Sequence, residues 1–199
     1  MQFLPQTAFI KVNPKIDTGE RRLAERCRCG DEAAFKELYD RYAGRLMAIC
    51  LRYVTDRATA EDLLHDTYLK IFGAVVRFEW RGPGSLKAWM ERIAVNVALE
   101  WLRNRNRLKM NAIEDSRAPH AGEEPAAEEV ERIPREVLMR MVGELPDGYR
   151  TIFNLFCIEG YSHREIAAML GIREKSSSSQ LFRARAILAR RIEDYLKSH

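Results

Sequence analysis

A stretch without helical periodicity, residues 108–131, divides this chain into two parts. It contains Pro119, Gly122, Pro125, a run of alanines and paired glutamates, a composition too polar and too charged to bury a core. On either side of it, apolar residues recur every three or four positions, which is the spacing of one face of an α-helix. The sequence has no alternating strand pattern and no internal repeat. We therefore predict an all-α chain of two small helical domains joined by a flexible acidic linker.

The predicted boundaries follow from the same pattern. Residues 1–19 are expected to form a poorly ordered N-terminal extension, 20–107 the first domain, 108–131 the linker and 132–199 the second domain. The loop 78–84 carries Gly82-Pro83-Gly84, which cannot continue a helix, and Ser85 after it is a candidate N-cap. Helices are predicted over residues 31–54, 57–77, 86–107, 133–144, 147–159, 162–170 and 176–196.

The charge is distributed unevenly along the chain. Residues 1–107 hold 19 basic and 14 acidic side chains, residues 108–131 hold 2 and 7, and residues 132–199 hold 12 and 8. The overall charge of +4 therefore hides two basic flanks around an acidic middle. A basic flank indicates either a nucleic-acid footprint or a solvated helix face.

Several classes of protein have no support in the sequence. It contains no apolar stretch of roughly 18–20 residues and no signal-peptide pattern, so a cytoplasmic location is expected. Cys50 and Cys157 stand among apolar residues and are predicted to be buried free thiols, whereas Cys27 and Cys29 lack nearby partners for a metal. No phosphate-binding loop and no H-E-x-x-H motif occurs, and the four histidines are scattered. We therefore expect no catalytic residues, no metal and no cofactor.

The C-terminal part has the pattern of a helix–turn–helix. Ser162 and Glu165 form a capping box, Gly171 ends a short helix, and a longer helix follows. Such a pair either packs as a plain structural unit or places its second helix in a DNA major groove. The second helix begins with small hydroxyls that suit bases and phosphates or serve only as a cap. Its candidate DNA contacts are Ser176, Ser177, Ser178, Ser179, Gln180, Arg183 and Arg185.

Aromatic and basic residues are interleaved around the loop 78–84. Single-stranded bases stack on aromatic rings while cations hold the phosphates, and this cluster contains both kinds of side chain. Trp89 is in register with Leu86 and Ile93 and is therefore predicted to belong to the core, which leaves Trp80 as the better stacking platform. The members of the cluster are Phe78, Trp80, Trp89, Arg77, Arg81, Lys87 and Arg92.

An acidic edge is predicted on the second helix. Glu61, Asp62 and Asp66 alternate with apolar residues, so this edge either is solvated or presents carboxylates to a partner. The apolar members are Leu63, Leu64 and Tyr68.

Several ordered motifs resemble the extracytoplasmic-function group of bacterial sigma factors, over Cys27–Arg107 and Arg135–Arg191. The first motif runs from Gly30 to Tyr42, and the stretch Ala60–Lys70 is similar to the family's polymerase-binding helix. Ser85–Ala94 and Asn96–Arg103 resemble the parts that open and read the minus-ten element. The segments that resemble region four, the reader of the minus-thirty-five element, are Gly160–Ala167, Leu170–Ile172 and Leu181–Arg185.

The resemblance implies a transcription initiation factor. Its expected partners are promoter DNA, core RNA polymerase through the clamp and flap, and an anti-sigma factor. The implied polymerase contacts are Glu61, Asp62, Leu63, His65, Asp66 and Tyr68. For the minus-ten element, the implied contacts are Arg77, Trp80, Arg81, Lys87, Arg92, Asn96 and Arg103.

Three departures from the family pattern accompany the resemblance. His65 stands where glutamine is usual, Glu100 where aspartate is common, and Ser177-Ser178 where many members carry valine and lysine. The sequence also leaves two other classes open: a helix–turn–helix regulator that acts without polymerase, and a small nuclease.

Overall fold

The structure, a computed structural model, describes residues 19–106 and 127–198, and these form two compact units. We call residues 19–106 the N-terminal unit and residues 127–198 the C-terminal unit. No strand occurs in either unit, so the all-α prediction is confirmed for the described residues. None of the helices in these two ranges is long and apolar enough to cross a membrane.

The N-terminal unit is a bundle in which α2, α3 and α4 pack against one another, with α1 against α2 and α4. Its core is built from the apolar stripes seen in the sequence, with Leu38, Leu46, Leu63, Ile71 and Met90 buried. The elements are α1 (Glu20–Arg28), α2 (Glu32–Tyr53), α3 (Arg57–Ala74), a 3₁₀ turn (Val75–Arg77) and α4 (Ser85–Asn106).

Side-chain caps explain where two of these helices begin. Asp31 accepts hydrogen bonds from the backbone N–H groups of Ala33 and Ala34, at 2.9 and 3.2 Å. Asp56 likewise accepts from the N–H of Thr59 at 2.8 Å. Both satisfy donors that a helix start leaves unpaired, so the predicted starts near residues 31 and 57 are confirmed.

The start of α4 differs from the prediction. Ser85 is the first helical residue, and its Oγ accepts from the N–H of Arg81 at 3.3 Å. Two N–H groups at this helix start, those of Gly84 and Lys87, are bound instead by Glu20 of α1, a residue far away in the sequence. A cap supplied from another helix leaves no local pattern, which is why Ser85 looked like the N-cap.

The C-terminal unit consists of short helices packed around a long final one. The elements are α5 (Ala127–Glu131), α6 (Arg135–Gly143), α7 (Asp147–Phe153), a π-helical turn (Asn154–Ile158), α8 (His163–Leu170) and α9 (Glu174–Ser198). Residues 127–131, predicted as the end of the linker, are helical, while the rest of the linker and residues 1–18 lie outside the described residues. Pro134 disfavours helical geometry in the residue before it, so α6 begins after Ile133.

The helix–turn–helix is formed by α8 and α9. The predicted capping box is confirmed, because Ser162 Oγ accepts from Glu165 N–H and Glu165 Oε2 accepts from Ser162 N–H. Gly171 has φ of +67°, a left-handed conformation that ends α8 and that glycine adopts at little cost. Helix α9 starts at Glu174, two residues before the prediction.

Candidate functional site

One face of α3 is polar at its start and apolar further along. Asp62, His65 and Asp66 are exposed, and Leu69, one turn after them, is 56% exposed. Positions spaced by three and four residues share a helix face, so these side chains form one continuous strip. Leu69 was missed by the sequence analysis, because its helical spacing alone does not distinguish an exposed leucine from a core one. We call Asp62, His65, Asp66 and Leu69 the α3 strip.

Two of the predicted polymerase contacts lie under this face. Leu63 is 2% exposed and Tyr68 4% exposed, and Tyr68 packs against Tyr39 with ring centroids 4.8 Å apart. Tyr68 belongs to the core between α2 and α3, whereas Leu63 lines a pocket between α3 and α4 together with Asp66 and Leu69. Little of either side chain is exposed, and their direct contact with polymerase stays a prediction. Glu61 is exposed and forms an ion pair with Arg57 at 2.9 Å.

A pocket of about 510 Å³ opens between the loop 78–84 and α4. Phe78 and Trp89 provide its aromatic wall, with ring centroids 5.1 Å apart. Three guanidinium groups line the same pocket. An aromatic wall beside several cations suits a nucleic-acid base with its phosphates. We call this the capture pocket; it is lined by Arg77, Phe78, Glu79, Arg81, Ser85, Ala88, Trp89 and Arg92.

The two tryptophans of the predicted cluster lie differently from the prediction, whereas Phe78 lines the pocket as a member of that cluster. Trp89 lines the pocket and also packs against Phe78, with the two rings tilted by 46°, so it is more than the core residue that its register indicated. Trp80 is partly exposed in the loop and lies outside the pocket lining. The helical register identified the inner side of Trp89 but not its outer edge, which faces the loop.

Further predicted minus-ten residues continue from the pocket along α4. Arg92, Asn96 and Arg103 are exposed and fall within about 40° of one another around a helix that turns 100° per residue. Lys87 is partly buried, and its backbone N–H is bound by Glu20. Helix α4 thus extends a polar, basic face from the capture pocket toward its C-terminal end.

In the C-terminal unit, the exposed start of α9 is polar. Lys175, Ser178 and Ser179 are exposed, and Phe182, one turn later, is 54% exposed. Ser176 is partly exposed beside them. Hydroxyls, a cation and an apolar ring are groups that read base edges and hold phosphates in a major groove. Lys175 and Phe182 were not among the predicted contacts, although they stand three positions before and four positions after Ser178, which is the spacing of one helix face.

Ser177, one of the predicted DNA contacts, is buried in the C-terminal unit. It is 0% exposed, and its Oγ lies 2.9 Å from His163 Nδ1 of α8. The His163 ring also stacks on Phe156, with centroids 4.5 Å apart. Burial lowers the pKa of His163, with Arg185 acting in the same direction and Glu174 opposing it. Ser177 therefore fixes α9 against α8.

Three other predicted residues of α9 are only partly exposed. Gln180 lies beside Gly148 of α7, and Arg183 donates to the Tyr149 hydroxyl at 3.4 Å. The Arg185 guanidinium lies 5.9 Å from the Phe156 ring centroid, on the side of the π-helical turn. The structure thus turns Arg185 toward the interior of the unit, and the outward positions are those of Lys175, Ser178, Ser179 and Phe182.

The cysteines occupy different environments. Cys27 and Cys50 are buried, and burial raises the pKa of each thiol to about 11. Cys29 is exposed, and Cys157, predicted to be a buried free thiol, is partly buried. Within residues 19–106 and 127–198, no three His, Cys, Asp or Glu side chains are grouped so that they could hold a metal ion.

Comparison with known families gives two matches, one for each end of the chain. Residues 38–108 match Sigma-70 region 2, and residues 135–188 match Sigma-70, region 4. The first match contains the α3 strip and the capture pocket, and the second contains α8 and α9 as far as residue 188. Together they span more than half of the chain.

Curated relatives resemble the chain over most of its length. The ECF RNA polymerase sigma factor SigE of Mycolicibacterium smegmatis is 30% identical over 175 residues, which is 85% of this chain but only 65% of that relative. The RNA polymerase sigma-H factor of Pseudomonas aeruginosa is 26% identical, covering 89% of this chain and 96% of the relative. Among solved structures, CnrH in complex with the cytosolic domain of CnrY is 24% identical, with a TM-score of 0.48, covering 88% of this chain and 98% of that one.

Proposed function

Because this chain belongs to the extracytoplasmic-function RNA polymerase sigma factors, we propose that it binds core RNA polymerase and directs it to specific promoters. One observation carries this proposal. A single chain combines a helix–turn–helix with a polar outer face and a separate helical unit with a basic, aromatic capture pocket. Its expected place of action is the cytoplasm, where polymerase and chromosome meet.

We assign duplex recognition to residues 132–199. The support is the exposed face of α9, where Lys175, Ser178, Ser179 and Phe182 point outward together. A helix of this kind enters the major groove with the residues near its N-terminus against base edges. The minus-thirty-five element is the proposed target.

Strand opening is assigned to residues 20–107. An unpaired base enters the capture pocket, stacks on the Phe78–Trp89 wall and leaves its phosphates to the arginines. Extruding a base costs a few kcal/mol, and stacking alone returns about 1–3 kcal/mol per base. Stacking together with the arginine–phosphate contacts can offset this cost, and we expect this chain to supply no catalysis.

The α3 strip is the proposed docking surface for polymerase. Its carboxylates and Leu69 are exposed side by side, a combination that suits a partner helix with basic and apolar side chains. An anti-sigma factor is a further proposed partner, on the strength of the family alone. The linker, proposed as residues 108–131, joins two DNA contacts and so raises the effective concentration of the second once the first has formed.

The proposal is tested by run-off transcription with core polymerase and a genomic promoter library. We expect transcripts from a distinct set of promoters only when this chain is added to core polymerase. Co-elution with core polymerase in gel filtration is measured in parallel. DNA binding without co-elution and without transcripts would overturn the proposal in favour of a regulator that acts alone, and DNA cleavage dependent on divalent metal would favour a nuclease.

A further inference from the structure

Glu20, the first residue of α1, is a carboxylate inside the N-terminal unit. It is 3% exposed. Its Oε2 accepts a hydrogen bond from Gly84 N–H at 2.6 Å, and its Oε1 accepts from Lys87 N–H at 2.9 Å. The hydroxyl of Tyr42 in α2 lies 3.4 Å from Oε1. Burying a charged group costs much free energy unless hydrogen-bond donors surround it. The three donors around Glu20 therefore stabilise the carboxylate in this buried position.

The two backbone donors are the ones that a capping box binds. Helix α4 starts at Ser85, so Gly84 holds the N-cap position and Lys87 the third helical position. In a capping box, side chains at these two positions bind each other's N–H groups. Here Gly84 has no side chain, and the carboxylate of Glu20 binds both N–H groups from a different helix. Its negative charge also lies at the positive end of the α4 dipole.

This contact lies where the two walls of the capture pocket meet. The loop 78–84 carries Phe78 and Arg81 on one side, and α4 carries Trp89 and Arg92 on the other. Gly84 joins the two sides with φ of +78°, a conformation open mainly to glycine. Hydrogen bonds from Arg81 N–H to Ser85 Oγ and from Ser85 N–H to Gly82 O hold the turn locally, and the Glu20 carboxylate links the turn to α1.

We propose that Glu20 is a positioning residue for strand capture: it holds the end of the loop 78–84 and the start of α4 so that the capture pocket exists before DNA arrives. This role rests on the proposed function and adds to it a residue that makes no contact with the strand. Without the carboxylate, the two walls of the pocket must become ordered when the strand binds. The entropic cost of this ordering makes the binding free energy less favourable.

The test uses full-length protein with core polymerase and fork-junction DNA derived from a promoter recovered in the run-off experiment. Each unpaired nucleotide is replaced in turn by an abasic site, and the position where wild-type holoenzyme loses most affinity identifies the captured base. Glu20→Ala removes both hydrogen bonds. Glu20→Gln keeps the size and one good acceptor, and serves if the alanine variant does not fold. The matched control is Glu25→Gln, on the same helix but exposed and paired with Arg21.

We expect Glu20→Ala to lower affinity for the intact fork about tenfold and Glu20→Gln to lower it less, whereas affinity for the abasic fork and for core polymerase stays within twofold of wild type. Glu25→Gln is expected to match wild type throughout. An unchanged affinity of both Glu20 variants for the intact fork would overturn the positioning role. An equal loss on the abasic fork would also overturn it, because the damage would then be general. Wild-type holoenzyme without any preference for the intact fork would overturn the proposed function itself, which is a different result.

Discussion

Individual carboxylates in the N-terminal unit have different surroundings and therefore different roles: a buried one stabilises the fold, and exposed ones are available to a partner. Glu20 is enclosed by backbone donors, whereas Asp62 and Asp66 face solvent beside Leu69. An enclosed carboxylate stabilises the fold, and exposed ones change little in it when they are replaced. Asp62 and Asp66 can therefore be mutated to test partner binding without disturbing the bundle.

Replacing both Asp62 and Asp66 by lysine should reduce affinity for core polymerase more than tenfold, because the partner's cations would meet like charges. Fluorescence anisotropy with labelled protein measures the affinity, and circular dichroism checks the helix content. The control with the same change in charge is Glu25→Lys with Asp40→Lys, two exposed residues on other helices. A loss below threefold, about 0.7 kcal/mol, would mean that another face binds polymerase.

His163 should make the C-terminal unit sensitive to acid. Its pKa lies below the usual 6.5 because burial favours the neutral ring. The unfolded chain therefore binds a proton at higher pH than the folded chain, and the stability that His163 contributes is present above pH 6.5 and lost as the pH falls through the folded pKa. Thermal unfolding between pH 7.5 and 5.5 should show a falling Tm in wild type and a smaller fall in His163→Gln. Parallel curves would contradict this.

At the scale of helices, the sequence predicts features that depend on neighbouring residues and misses those that depend on contacts between residues far apart in the chain. Apolar spacing located α2, α3, α4 and the helix–turn–helix, because one residue's burial depends on neighbours three and four positions away. The cap on α4 escaped prediction, since Glu20 and Gly84 are 64 positions apart. The same reason applies to Ser177. Four consecutive serines are indistinguishable in the sequence, and the contact with His163 of α8 determines that Ser177 is the buried one.

Helix α4 allows a prediction about salt. If its basic face follows a single strand, Arg92→Ala and Arg103→Ala should each reduce the slope of log affinity against log salt by about 0.7 for the fork-junction DNA. Titrations at several salt concentrations measure this slope. Arg21→Ala, on the exposed side of α1, should leave it unchanged. Equal slopes for all three variants and wild type would mean that α4 does not contact the phosphates of the single strand.

For the whole molecule, variants in the two units should impair different steps of transcription initiation. Ser178→Asp with Ser179→Asp places negative charge against the duplex and should weaken closed-complex binding. Trp89→Ala should leave that binding nearly unchanged and slow opening, because a stacking wall contributes only after a base leaves the duplex. Trp80→Ala should slow opening less than Trp89→Ala, since only Trp89 lines the capture pocket.

Permanganate footprinting on matched and pre-melted templates separates these effects. A pre-melted template should restore much of the activity of Trp89→Ala and little of the serine double variant. Equal loss of duplex binding in both would contradict the assignment of recognition and opening to separate units.

The burial of Ser177 determines which positions of α9 should be varied to direct this protein to new promoters. A combinatorial library that randomises the whole serine run would include Ser177, which is buried, and most replacements there would break its contact with His163. Diversity is better placed at Lys175, Ser178, Ser179 and Phe182, with Ser177 held constant. The scaffold would then stay the same while its outer surface is exchanged.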